Sequence, residues 1–375
     1  MSILIGADIV PTESNRKYFS SGDMKSILGS NLIDFLEKAT FRVFNLECPL
    51  VDSKSQIQKA GPALMAPISS INGIKVLGVD LLTLANNHIM DQGEKGLLST
   101  LNVLDENDIN YFGVGSNLME AQRSFITYIN KRKIGFYACV EHEFSIADEK
   151  NPGANPFDVL ESFDHVSCLK KQCDSVIVLY HGGKEHYRYP SPFLQRVCRK
   201  FIENGADIVI CQHSHCIGCE EKYQNGLIVY GQGNFIFDSH NHPTSQTSLL
   251  MEIDDEFKVK YIPLEKNDCG VRLASEDCAK KILSDFFSRS EQIKKKGFLE
   301  DEYVKFSKRM LKEYLLMCSG YHHNFLKRIV NKIFGHKFTS YFALNYYKKN
   351  ELLAISNFVE CEAHREVLIT GLKND

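Results

Sequence analysis

The stretch Leu81-Leu82-Thr83-Leu84-Ala85-Asn86-Asn87-His88-Ile89-Met90-Asp91-Gln92-Gly93 decides the fold. Leu81–Ala85 is a short, nearly unbroken apolar run, which reads as a buried strand. Asn86, Asn87 and His88 stand at its end, with Asp91 and Gly93 close behind. From Gly93 to Glu106 the apolar residues return at helical spacing. A strand that ends in polar side chains and passes into a helix is the repeating unit of an α/β sheet. In such sheets ligands bind beyond the carboxyl ends of the strands.

The same arrangement recurs outward in both directions. Ile3–Ala7 is followed by Asp8, and Phe41–Asn45 by Glu47. Ser175–Tyr180 is followed by His181-Gly182-Gly183-Lys184-Glu185, and Asp207–Cys211 by His213 and His215. Tyr111–Val114 and Leu227–Tyr230 are further strands; Met24–Lys38 and Pro192–Asn204 are helices, the latter stopped by Asn204-Gly205. Two pairs of runs flank polar turns and read as hairpins: Phe125–Tyr128 with Lys133–Val140, and Thr247–Ile253 with Lys258–Pro263. The sheets are therefore mixed. Residues 141–165 carry two prolines and little periodicity and read as a surface excursion.

After about residue 270 the strand pattern stops. Ala279–Ser290, Leu299–Cys318 and Asn324–Phe334 read as helices with Lys and Arg on their polar faces. The expected division is an α/β domain over residues 1–268 and a helical extension over 269–375. The 375 residues suffice for a sizeable core without staples. A hydrophobic share of 43% with 24% charged residues excludes disordered, collagen-like and coiled-coil classes. The net charge of −3 hides an asymmetry: residues 271–375 hold 19 Lys/Arg against 13 Asp/Glu, and the remainder is acidic. An acidic core without a nucleic-acid motif argues against a nucleic-acid enzyme. Twelve scattered Cys fit reduced thiols. No basic leader and no run near 18 apolar residues is seen, so the expectation is a cytoplasmic protein without a transmembrane segment.

Five strands thus deliver carboxylate, amide and imidazole groups to one edge, a donor set that suits Mn, Fe, Zn or Mg. His213 and His215, two residues apart on an extended segment, point to one face. A rival reading places a structural zinc on Cys216, Cys219 and nearby histidines.

Taken in order, the strings resemble a known family. They are Asn45-Leu46-Glu47-x-Pro49, Gly61-Pro62, Leu84-Ala85-Asn86-Asn87-His88-x-x-Asp91-x-Gly93, His181-x-Gly183-x-Glu185, Gly205-Ala206-Asp207-Ile208-Val209, His213-x-His215 and Tyr230-x-x-Gly233-Asn234-Phe235-Ile236-Phe237. They look like the CapA family of bacterial capsule proteins, named for poly-γ-glutamate, which resembles the calcineurin-like metallophosphoesterases. The resemblance covers residues 1–265.

It implies a four-layer α-β-β-α sandwich of mixed sheets with one or two divalent ions (Mn, Fe or Zn). It implies metal ligands at Asp8, Glu47, Asn87, His181, His213 and His215, with Glu47 bridging and His88 beside the leaving group. Metallophosphoesterases carry Asp-x-His at the first motif, whereas Val10 stands at that histidine's place here. Asp91 would orient His88, and Glu185 and His186 would contact substrate. The expected function is metal-dependent hydrolysis of a phosphoester or amide bond in capsule or poly-γ-glutamate biosynthesis. The substrate would be an anionic small molecule or polymer, and the partners other capsule-biosynthesis proteins. The alternative is a non-catalytic accessory that binds an anionic polymer or partner proteins.

Overall fold

A computed structural model describes residues 2–237, 242–318, 333 and 347–374. In order the elements are β1 (Ile3–Val10), α1 (Arg16–Ser21), α2 (Met24–Glu37), β2 (Phe41–Leu46), α3 (Ile71–Val76), β3 (Leu81–Thr83), α4 (Gly93–Glu106), β4 (Asn110–Phe112) and β5 (Val114–Gly115). There follow α5 (Leu118–Ala121), β6 (Phe125–Ile129), β7 (Arg132–Val140), β8 (Gly153–Ala154), α6 (Ser162–Lys170), β9 (Ser175–His181), α7 (Pro192–Glu203) and β10 (Ile208–Gln212). Then come β11 (Glu220–Tyr223), β12 (Gly226–Val229), β13 (Asn234–Phe237), β14 (Thr247–Ile253), β15 (Val259–Asn267), β16 (Gly270–Leu273), α8 (Glu276–Gln292) and α9 (Phe298–Cys318). The chain divides into two compact units, Met1–Leu299 and Glu300–Asp375.

The first unit holds two mixed sheets. One runs β16-β15-β14-β1-β2-β3-β4, with β13 also paired to β1; the other runs β11-β12-β10-β9-β7-β6. The strands β1, β2, β3 and β4 are parallel, and so are β7, β9, β10 and β12. Alternation along each strand sorts side chains to two faces. Ile3, Ile5 and Val43 of the first sheet pack against Phe136, Ile177 and Ile210 of the second, which forms the inner core. Leu4, Phe44 and Leu82 point the other way and pack on Leu28, Ile74 and Leu97 of α2, α3 and α4. Tyr137, Val178 and Val209 pack on Val166, Val197 and Phe201 of α6 and α7. These three cores separate four layers, α-β-β-α. Buried on both faces, β1, β9 and β10 read as continuous apolar runs.

Register sets the level of the strand ends. Asp8 pairs with Asn45 and Asn234, and Asn45 with Thr83. In the other sheet His181 pairs with Val140 and Gln212. Two buried glutamines stitch the sheets together below that level. Gln212 Nε2 donates to the Gly6 carbonyl (3.1 Å), and Gln232 Nε2 to the Ile5 carbonyl (2.9 Å).

Several local expectations shift. The third strand stops at Thr83: Leu84 N still bonds the neighbouring strand at Phe112 O, and Asn86 N then turns back onto Leu84 O and ends the pairing. The run Tyr111–Val114 breaks at Gly113, which takes φ 78° where a Cβ would meet that of Ala85 at 2.8 Å. Residues 141–165 are not a surface excursion throughout. Ser145, Ala154, Asn155 and Phe157 are buried, and β8 pairs with β5. Long-range pairing supplied the order that local periodicity lacked. The strand pattern also continues past 270, since β16 pairs with β15. In α8, Ile282 and Phe286 join the inner core, with Phe286 4.7 Å from the Tyr261 ring. The first unit therefore takes in α8, which the sequence had assigned to the extension.

The second unit contains most of α9 and the helices Lys349–Glu360 and Glu362–Asn374. The helix read over 324–334 lies, apart from Ile333, outside the described residues. Among the described residues no helix is long and apolar enough to cross a membrane.

Candidate metal centre

Backbone geometry brings the strand ends of both sheets to one point. A register shift between Asp8 and Ile9 bends β1 there, and Glu47 N donates to Ile9 O (3.1 Å), which fixes Glu47 just beyond β2. His181 is the last residue of β9. His213 and His215 follow β10 but are not extended as the sequence suggested. Both are left-handed, at φ 83° and 52°, with their rings 5.9 Å apart. Such a backbone costs a non-glycine residue roughly 1–2 kcal/mol, a strain found where function over-determines geometry.

Two ligand groups result. Glu47, His181 and His213 offer donor atoms within 4.8 Å of one another, and so do Asp8, Glu47 and His215. All are buried, and Glu47 belongs to both groups. Asp8 Oδ2, both Glu47 carboxylate oxygens and His213 Nδ1 have no hydrogen-bond partner. Buried carboxylate oxygens without partners are costly and call for a cation. Burial pushes the Asp8 carboxyl well above its usual range, with Glu47 beside it adding to the effect. Burial likewise raises Glu47 to about 7. It drives His181 down to about 3 and His213 well below its ordinary value, so both imidazoles are neutral, as metal ligands must be. The residues present fit one or two divalent ions.

Surrounding amides hold this set in place. Asn45 Nδ2 donates to Asp8 Oδ1 (2.8 Å), and Asn86 Nδ2 donates to Asn45 Oδ1 (3.0 Å) and Leu46 O (2.8 Å). Asn86 Oδ1 accepts from His88 N, and its carbonyl from Ser145 Oγ (2.7 Å). Asn86 is thus a structural knot, and Asn87 is the amide facing the centre. Asn87 Oδ1 lies 3.1 Å from His181 Nε2, which is itself 3.2 Å from Glu47 Oε1. Asn87 Nδ2 donates to Glu143 Oε2 (3.1 Å), which aims the amide oxygen inward. His215 Nδ1 sits 2.8 Å from Asn234 Oδ1 and 3.7 Å from Asp8 Oδ2.

His88 and Asp91 form a pair at the rim, Nδ1 to Oδ2 2.6 Å. His186 is half-buried, its ring 6.0 Å from His215 and stacked 4.0 Å from His242. Glu185 is exposed, yet its charge is felt at Glu47. The structure therefore gathers Asp8, Glu47, Asn87, His181, His213 and His215, with His88 and Asp91 adjoining and Glu185 and His186 further out. Val10 is buried in strand pairing with Phe237 and offers no donor. Cys216 and Cys219 are buried, and among the described residues the ligand groups contain no cysteine.

Sequence reasoning missed Lys59 and Glu143, both in stretches without periodicity. Nothing local marks Glu143; the Gly61-Pro62 turn beside Lys59 was the one available signal.

The family model described as "Bacterial capsule synthesis protein PGA_cap" matches residues 2–239. The chain belongs to this family. All the residues gathered at the PGA_cap centre fall inside the matched span. The chain is similar to the capsule biosynthesis protein CapA of Bacillus anthracis, 29% identical over 225 residues, which cover 58% of this chain and 55% of that one. It is also similar to the PGA biosynthesis protein CapA of Bacillus subtilis, 29% identical over 185 residues and covering 48% of each chain. It spans about half the length of these curated relatives. Among solved structures, a novel phosphatase from Mycoplasma pneumoniae is 17% identical over 72% of this chain and 94% of that chain. The TM-score of this pair is 0.42.

Proposed function

We propose that this PGA_cap chain is a metal-dependent hydrolase acting in capsule or poly-γ-glutamate biosynthesis on an anionic small molecule or polymer. The observation that carries the reading is Glu47: a fully buried carboxylate with two unpartnered oxygens, shared by two groups of ligand atoms. Asp8, Glu47, Asn87, His181, His213 and His215 would hold one or two ions, of Mn, Fe or Zn. Such ions supply Lewis acidity and lower the pKa of a bound water to about 7.

The rest falls to the chain's own side chains. In phosphoester hydrolysis a water oxygen bonds to phosphorus and the bond to the leaving oxygen breaks. His88, as the imidazolium, gives the departing oxygen its Nε2 proton and is left neutral, and Asp91 holds the His88 ring from its other edge by accepting from Nδ1. Glu185 and His186 stand where the distal part of a substrate would lie. An amide carbonyl is open to the same attack, and γ-linked polyglutamate has an amide bond. Phosphoester is the favoured bond. Other capsule-biosynthesis proteins are the proposed partners.

Metal analysis of the purified chain, paired with a panel of phosphoesters and γ-glutamyl peptides, tests this. The parent should carry Mn, Fe or Zn and turn over at least one class. His213→Ala should lose both metal and turnover. A His213→Ala variant that keeps its metal sinks the assignment. A parent that binds no metal but retains an anionic polymer is an accessory protein instead.

A further inference from the structure

Lys59 lies in the irregular connection between β2 and α3. Its side chain is only 2% exposed, against Asp91 at 1%. Lys59 Nζ is 2.6 Å from Asp91 Oδ1 and 3.5 Å from both His88 Nδ1 and the Asn87 carbonyl. Burying an ammonium is expensive, and a buried ion pair adds little net stability over an apolar pair of the same size. Nor is Lys59 needed to anchor its own connection. Ser55 N donates to Gln92 Oε1 (2.8 Å), Ile57 N to Asp91 O (3.1 Å), and Gln92 Nε2 to Leu64 O (3.1 Å). Its effect falls on the Asp91 carboxylate. One oxygen is held by Lys59; the other takes Leu64 N (2.6 Å) and His88 Nδ1 (2.6 Å). A carboxylate held at both oxygens cannot turn. It offers His88 Nδ1 a single acceptor in a single direction, and that hydrogen bond sets the tautomer and the aim of the ring.

We infer that Lys59 is a positioning residue: by locking Asp91 it fixes the His88 ring with its Nε2 edge toward the leaving group. The inference rests on the hydrolase reading above, and its test has one arm that does not. In the chelated full-length chain, nitrogen NMR of the histidines should show the neutral form of His88 as one Nδ1–H tautomer, which leaves Nε2 as the nitrogen that takes up and gives the second proton. Lys59→Met should convert this signal to a mixture.

The second arm uses the metal-loaded chain with two probes, p-nitrophenyl phosphate and an alkyl phosphate of equal charge. The nitrophenolate leaves without a proton; the alkoxide needs one. Lys59→Met should keep its metal and lower kcat on the alkyl ester about 10-fold or more, within the range set by general acid catalysis. The loss on the nitrophenyl ester should be much smaller. In a His88→Ala background the same substitution should add nothing on either ester.

Equal losses on both esters overturn the inference, as do additive effects with His88→Ala. So does an unchanged tautomer signal, or loss of metal or of cooperative unfolding in both Lys59→Met and Lys59→Gln. A parent inactive on every ester and γ-glutamyl peptide refutes the hydrolase reading instead, and the NMR arm still decides whether Lys59 orients His88.

Discussion

Replacing Glu47 with Gln should make the metal-free protein more stable while destroying its capacity for metal. The substitution keeps the volume and removes the charge. In the folded chain burial holds this carboxyl at about 7, against an ordinary 4.5. The folded value is the higher one, so the native state binds more protons than the unfolded state between those limits. Stability of the chelated parent therefore falls as pH rises through that window. Well above pH 7 the cost of the ionised form approaches about 3 kcal/mol, at roughly 1.4 kcal/mol for each tenfold step. Glu47→Gln escapes that cost. In chelator at about pH 8 its unfolding free energy from urea titration should exceed the parent's, by up to roughly 3 kcal/mol, and near pH 5 the difference should shrink. With metal added at about 1,000 times Kd the order reverses: binding stabilises the parent by roughly 4.1 kcal/mol, and the variant gains nothing. Urea titrations with and without chelator at both pH values, together with metal analysis, provide the readout. A variant less stable than the parent in chelator at pH 8, or one that binds metal equally well, refutes the reasoning that this carboxylate is held in place for a cation.

Metal affinity should itself depend on pH. Below about 7 a cation must displace the proton on Glu47, and Asp8, also raised well above its usual range by burial, adds a second. Affinity should therefore fall by about tenfold or more per pH unit below 7, measurable by calorimetry with Mn or Zn in buffers of differing ionisation enthalpy. Phe286→Ala should destabilise the first unit by about 3–5 kcal/mol, because the ring fills the inner core. Denaturant unfolding of the full chain checks this, and a shift under about 1 kcal/mol would detach α8 from that core.

Much of the fold was readable because buried parallel strands leave a direct trace. Ser175–Tyr180 and Asp207–Cys211 had to be apolar on both faces, and that is what the sequence shows. The helix Gly93–Glu106 was legible to the residue, since its apolar period begins directly after the turn at Asp91. Residues 141–165 were opaque. The burial of Ser145 and Asn155 comes from hydrogen bonds to Asn86 O and Ala138 O, and residues that distant leave no local period.

What the sequence determined alone was the inventory: which strands exist, that they end in carboxylate, amide and imidazole, and that the strings together mark the family. Tertiary structure decided how these groups meet. Register levelled Asp8 with Asn45 and His181 with Gln212, and two left-handed residues turned His213 and His215 inward. It also buried the Lys59 ammonium against Asp91, although a lysine in a polar connection reads as a solvated one. The physical reason is range. Strand and helix periodicities are written in neighbouring residues, whereas the desolvation and convergence that give a site its chemistry depend on chain segments that meet only when the two sheets pack.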